Sequence, residues 1–154
     1  MPVKSTKSLT IRDAKAADEA EWRQMWQGYC VFYHATVPSD VTDSVWARIM
    51  DPDAPIYAVI AESETGQVLG FSNYVLHQFT WGKGLACYLE DLFVKPDARA
   101  MGVGKALIDA IIDRARANGW SRVYWMTATD NTTARALYDK YCPADDFVRY
   151  TVRL

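Results

Sequence analysis

Cysteine is scarce in this chain and histidine scarcer. The three cysteines, Cys30, Cys87 and Cys142, lie far apart and form no C-x-x-C pair. That excludes a disulfide framework and fits reduced, mostly buried thiols in a cytoplasmic protein. Two histidines, His34 and His77, are too few for a histidine metal cage, and no cluster supplies the about four ligands a free-standing site needs. No metal is therefore expected. No apolar run reaches the ~18 residues that span a bilayer, so no membrane partner is expected. Lys4 and Lys7 are not followed by an apolar stretch, which speaks against a signal peptide. Repeats and low-complexity segments are missing too. Net charge is only −2, which argues against nonspecific nucleic-acid binding.

What remains is an ordinary globular composition. Of 154 residues, 50% are hydrophobic and 23% charged, enough apolar material for one packed core. A chain of this length buries roughly 68–70% of its unfolded surface and needs neither metal nor disulfide to hold together. Residues 1–8 read as a mobile tail ahead of a single domain over residues 9–154. The charge is uneven. Residues 1–77 carry 6 Lys/Arg against 10 Asp/Glu, and residues 78–154 carry 11 against 9. The later half is the better place for an anionic ligand, and the earlier half favours a cationic one, although ordinary solvated charge explains the same numbers.

The periodicity gives the order of elements. Residues 9–12 alternate as a short strand. Trp22, Met25, Trp26, Tyr29 and Tyr33 recur at three- and four-residue spacing, predicting a helix over 16–33 with Asp13 as a candidate cap. Its aromatic face reads as core, with the wall of a ligand pocket as the alternative. A second helix is expected over 42–50. Residues 56–62 and 68–76 form a hairpin around Glu64-Thr65-Gly66-Gln67. A strand follows over 85–94, then a helix over 101–118 closed by Gly119, a strand over 122–128, a helix over 131–141 and a last strand over 147–154. The fold class is α/β, with a mixed, mostly antiparallel sheet, flanking helices and one parallel pair from the crossover between residues 85 and 128.

The stretch with the most chemistry is Arg99-Ala100-Met101-Gly102-Val103-Gly104-Lys105. It leaves a strand and opens a helix. Gly102 and Gly104 let a ligand approach the backbone, and the free amides and dipole of a helix N-terminus favour phosphate. Arg99 and Lys105 add cationic donors. A P-loop would need Gly at 99 and Ser/Thr at 106, where Arg99 and Ala106 stand. A dinucleotide fingerprint would need Gly at 107, where Leu107 stands. A glycine turn that merely admits the chain into a helix is the plainer alternative.

Three motifs together carry a resemblance: the strand Leu89-Glu90-Asp91-Leu92-Phe93-Val94, the loop Arg99-x-x-Gly102-x-Gly104, and the helix running from Asn131 to Tyr138. Over residues 9–154 the chain resembles the GNAT superfamily of acetyl-CoA-dependent N-acetyltransferases. Its wording is similar to the Hpa-type and diamine acetyltransferases. The resemblance implies that Leu92, Phe93 and Val94 present backbone groups to the pantetheine arm and the acetyl carbonyl. A bulge there is implied to splay this strand from the one at 122–128, opening a V for acetyl-CoA. The loop Arg99, Ala100, Met101, Gly102, Val103, Gly104, Lys105 is implied to wrap the diphosphate, Asn131 to touch the pantetheine, and Tyr138 to stand beside the thioester sulfur. Ala100 occupies a position where many members carry glycine. A homodimer is also implied, through the C-terminal strand.

The residue chemistry is consistent with those roles. A lysine-like amine has a solution pKa of about 10.4, so something must take its proton. Glu90 is the expected base, directly or through water, with binding of a cationic substrate or pairing with an arginine as its alternatives. Asp91 is expected on the opposite face of the strand unless a bulge changes the alternation. Tyr138, two helical turns after Asn131, can face the same groove and donate to the departing thiolate, with core packing as its alternative. The expected activity is acetyl transfer to a primary amine (polyamine, amino acid or lysine-like) by direct attack in a ternary complex. Alternatives are a non-catalytic acyl-CoA-binding or sensing module and a nucleotide-binding enzyme.

Overall fold

A computed structural model describes residues 8–154. The expected tail over 1–8 lies outside the described residues except Ser8, whose amide and hydroxyl both donate to Glu64. The chain forms β1 (Thr10–Asp13), α1 (Glu19–Phe32), α2 (Ser39–Met50), β2 (Ile56–Glu62), β3 (Val68–His77), β4 (Ala86–Val94), α3 (Val103–Asn118), β5 (Arg122–Tyr124) and α4 (Thr132–Tyr138). The five strands form one sheet in chain order, antiparallel from β1 to β4 and parallel between β4 and β5. This is the expected mixed sheet.

The sheet separates two cores. On one face α3 presents Val103, Leu107, Ile108 and Ile111 to Val59, Cys87 and Leu89. On the other, α1 and α2 bring Trp22, Met25 and Trp46 onto Ala58, Ile60 and Phe71. Trp22 is 0% exposed and stacks parallel to Trp26 at 5.8 Å. Truncating such a residue to Ala costs about 3–5 kcal/mol. Gly28 lets α1 settle on β4, since a Cβ there would stand 2.8 Å from the Phe93 ring.

Several boundaries differ from expectation for identifiable reasons. Asp13 is not a helix cap. Its carboxylate pairs with Arg114, while Asp18 accepts the Lys15 amide and both Arg12 terminal nitrogens. The helix expected over 42–50 begins at Ser39, directly after Pro38, whose carbonyl accepts the Val41 and Thr42 amides. β5 stops at Tyr124 rather than 128. Cys30 and Cys87 are buried, but Cys142 is exposed.

The largest departure concerns residues 147–154. They alternate like a strand but pair with none of the described strands. Phe147, Val148, Tyr150 and Val152 are 74–92% exposed. Alternation specifies which faces a strand shows, but a strand also needs a partner edge.

Candidate active site

The site begins with a defect in the sheet. Along β3 and β4, Tyr74 pairs with Leu89 but Asn73 pairs with Asp91, which leaves Glu90 as the extra residue of a β-bulge. A bulge resets the side-chain alternation. Asp91 thereby turns to the α1 side, and Glu90 is exposed. Ser72 Oγ donates to the Asp91 carbonyl at 2.8 Å, satisfying a backbone acceptor in the bulged stretch.

Two residues before the bulge the parallel pair separates. Its ladder runs through Ala86–Arg122, Cys87–Val123 and Tyr88–Tyr124 and then ends. Tyr88 and Tyr124 stack at 5.0 Å where the strands part. A cleft of about 810 Å³ opens there, bordered by Tyr29 of α1, Tyr33 just after it, Glu90 of β4, and Arg135 and Tyr138 of α4. That volume is in the range of small-molecule sites.

Glu90 and Tyr138 thus line one cleft. Glu90 makes no ion pair among the described residues. Tyr138 packs edge-on against Trp125 at 5.6 Å. Burial, reinforced by the Tyr33 phenol, pushes its pKa up to about 12, so it stays a proton-bearing hydroxyl across the physiological range. Both readings of Tyr138, core aromatic and site residue, apply to the same ring.

The glycine loop sits apart from that cleft, at the N-terminus of α3. Gly102 has φ 80° and nothing within 4 Å of where a Cβ would stand. Ala100, Met101 and Gly102 are exposed, and Val103 is buried as the loop's anchor. The open first turn with its free amides fits a diphosphate. The cations are partly engaged. Arg99 Nε donates to the Val94 carbonyl at 3.1 Å, and Lys105 pairs with Asp109 at 2.6 Å. Ala100 has φ 61°, a left-handed conformation that explains why glycine suits that position.

Leu92 and Val94 lie under Gly104, 3.8–3.9 Å from where its Cβ would be. Phe93 faces α1 and the Arg99 guanidinium. Asn131 caps α4, accepting the Ala134 amide at 3.4 Å and donating to Thr127 Oγ1 at 3.2 Å.

The family model of the acetyltransferase (GNAT) family matches residues 20–142. The chain belongs to the GNAT acetyltransferase family. It is 33% identical over 143 residues to D-amino-acid N-acetyltransferase HPA3 of Saccharomyces cerevisiae, covering 92% of this chain and 89% of that protein. It is also 33% identical over 85 residues to thialysine N-epsilon-acetyltransferase of Bos taurus, covering 55% of this chain and 49% of that one. Among solved structures, that of AAC(6')-Iy in complex with a bisubstrate analog, CoA-S-monomethyl-acetylneamine, superposes with a TM-score of 0.80 at 21% identity, over 96% of this chain and 99% of the other. The GNAT assignment makes this chain an N-acetyltransferase, and acetyl-CoA is the donor the family uses.

Some features of the GNAT site were not legible in the sequence. Tyr29, Tyr33, Tyr88 and Tyr124 line the cleft. Tyr29 and Tyr33 fall under the pocket-wall alternative for the first helix's aromatic face, whereas the sequence assigns Tyr88 and Tyr124 no site role. Asp91 was hidden by the bulge. Among the described residues, no group of three or more His, Cys, Asp or Glu could hold a metal, and no helix is long and apolar enough to cross a membrane.

Proposed function

We propose that this chain transfers the acetyl group of acetyl-CoA to a primary amine by direct attack in a ternary complex. The observation that carries the reading is the parting of β4 from β5 after Tyr88 and Tyr124, with Glu90 and Tyr138 bordering the cleft. In this reading the amides from Gly102 onward, with Arg99, Ala100, Met101, Val103, Gly104 and Lys105, hold the diphosphate. The β4 backbone at Leu92, Phe93 and Val94 and the Asn131 side chain line the pantetheine path. A backbone amide near Phe93 steadies charge developing on the carbonyl oxygen.

Two side chains move protons. Glu90, exposed and unpaired, takes the ammonium proton directly or through water, which frees the lone pair that attacks. Tyr138 donates to the sulfur as it leaves. A phenol held protonated by burial is suited to donating a hydrogen bond rather than to carrying charge. The acceptors named for the relatives support amino acids or lysine analogues as the acceptor class. The three free thiols support a reducing, cytoplasmic setting.

We also infer a homodimer. Residues 147–154 form an extended apolar arm with no partner edge among the described strands, and a second copy supplies one. The test of the activity is thiol release from acetyl-CoA across a panel of polyamines, amino acids and lysine-like amines. Release with at least one amine class is expected. Tight CoA binding with no release from any amine would favour the sensing module instead.

A further inference from the structure

The chain contains two buried carboxylates that it treats in opposite ways. Asp18, 5% exposed, is held by the Arg12 guanidinium through bonds of 2.7 and 2.9 Å, and its pKa is lowered. Asp91, 9% exposed, has no lysine, arginine or histidine partner among the described residues. Its donors are neutral. Asn73 Nδ2 donates at 3.1 Å and is itself fixed by Trp22 Nε1 on its Oδ1 at 3.2 Å; the Tyr29 phenol is the other neighbour that favours the charged form. The titratable groups around Asp91 are Tyr29 and Cys30 from α1 and Glu90 from β4, with Tyr33 and Tyr88 beyond Tyr29. None of them brings positive charge.

A buried anion without a counter-charge is costly, and proteins that retain one commonly use it. Asp91 lies behind Tyr29, and Tyr29 borders the cleft with Tyr33 and Glu90. Asp91 itself does not line the cleft, whereas its neighbours Glu90 and Tyr29 do. The Tyr29 ring is itself packed between Trp26 and Tyr33, so an incoming ammonium would be drawn by the field of the uncompensated carboxylate beside the cleft rather than by an open ring face.

We propose that Asp91, acting through Tyr29, is a positioning residue that draws the ammonium of the acceptor into the cleft and makes the site select cationic over uncharged amines. The assignment rests on the acetyl-transfer reading above and adds to it a residue and a selectivity. Glu90 remains the group that takes the proton; Asp91 supplies the field in which the ammonium docks.

The test compares benzylamine, charged at about pH 7.5, with trifluoroethylamine, largely uncharged there, in wild type, Asp91→Asn and Tyr29→Phe. Asp91→Asn should raise the KM for benzylamine at least about tenfold and leave the KM for trifluoroethylamine within about twofold. Burial pushes the Asp91 pKa up to about 6, with Glu90 adding to the rise and Asn73 and Tyr29 opposing it. Benzylamine stays charged across this range, so its apparent affinity, read as 1/KM, should climb as pH rises through about 6 in wild type and stay flat in Asp91→Asn. Tyr29→Phe removes one of the interactions that oppose the rise and should move that climb to higher pH, a response that a purely structural role would not give. If Asp91→Asn does not fold, the Tyr29→Phe profile decides alone. Equal KM changes for both amines, or a climb that Tyr29→Phe does not move, would overturn the assignment while leaving acetyl transfer intact. No release by wild type with any amine would overturn the acetyl-transfer reading and this assignment with it.

Discussion

Replacing Asp91 by Asn should alter the pH dependence of folding stability, and the structure sets the size of the effect. The carboxyl is buried between β4 and α1, and burial raises its pKa from the ordinary 3.8 to about 6. A raised folded-state pKa means that the protonated form is the one the fold prefers. The contribution is thus fully present below about pH 3.8 and is lost as pH rises through about 6. At about 1.4 kcal/mol per pH unit, the loss amounts to about 3 kcal/mol. Asparagine has no charge to bury and should lack this loss. Urea unfolding of both proteins across the range from about pH 4 to about pH 7.5 measures it. The variant should gain about 3 kcal/mol relative to wild type over that span. The loss of optimal interactions with Asn73 and Tyr29 shifts the two curves by a constant but does not change the gain. A stability difference independent of pH would refute the claim that Asp91 is an uncompensated buried anion. A gain of the expected size would mark a position where stability is given up for function.

The other expectations concern separate parts of the molecule. Tyr138→Phe should lower turnover by about 10²–10⁴-fold while CoA affinity, measured by titration, changes little; unchanged turnover would remove the hydroxyl from the mechanism. Glu90→Gln should lose most activity at low pH, where removing the amine proton is hardest, and a pH profile parallel to wild type would exclude it as the base. Ala100→Gly should relieve the left-handed strain at φ 61° and raise Tm by a few degrees, since about 1–2 kcal/mol of strain exceeds the ~0.5–1 kcal/mol of added backbone entropy. Deleting residues 147–154 should convert a dimer to a monomer in light scattering; a dimer that survives the deletion places the subunit contact elsewhere.

Much of the fold was written in local patterns. The spacing of Trp22, Met25, Trp26 and Tyr29 placed α1, the alternation through Ile60 and Phe71 placed the hairpin, and Gly119 closed α3. These features depend on residues a few positions apart, which periodicity can read. The glycine loop, Glu90 and Tyr138 could likewise be singled out as candidates, because each has a residue type suited to a local chemical task. Periodicity could not read what depends on partners distant in sequence. The 147–154 segment has the alternation of a strand yet pairs with none of the described strands, because a strand is made by the edge beside it. β5 ends at Tyr124 because its neighbour β4 bulges two residues further on. The bulge turned Asp91 inward against Asn73 and Tyr29, reversing the face that strict alternation assigns. The sequence alone therefore determined which elements form and which side chains are able to do chemistry. The tertiary structure decided where two strands part and which carboxylate is buried without a counter-charge, since both follow from register and packing between segments that the linear order keeps far apart.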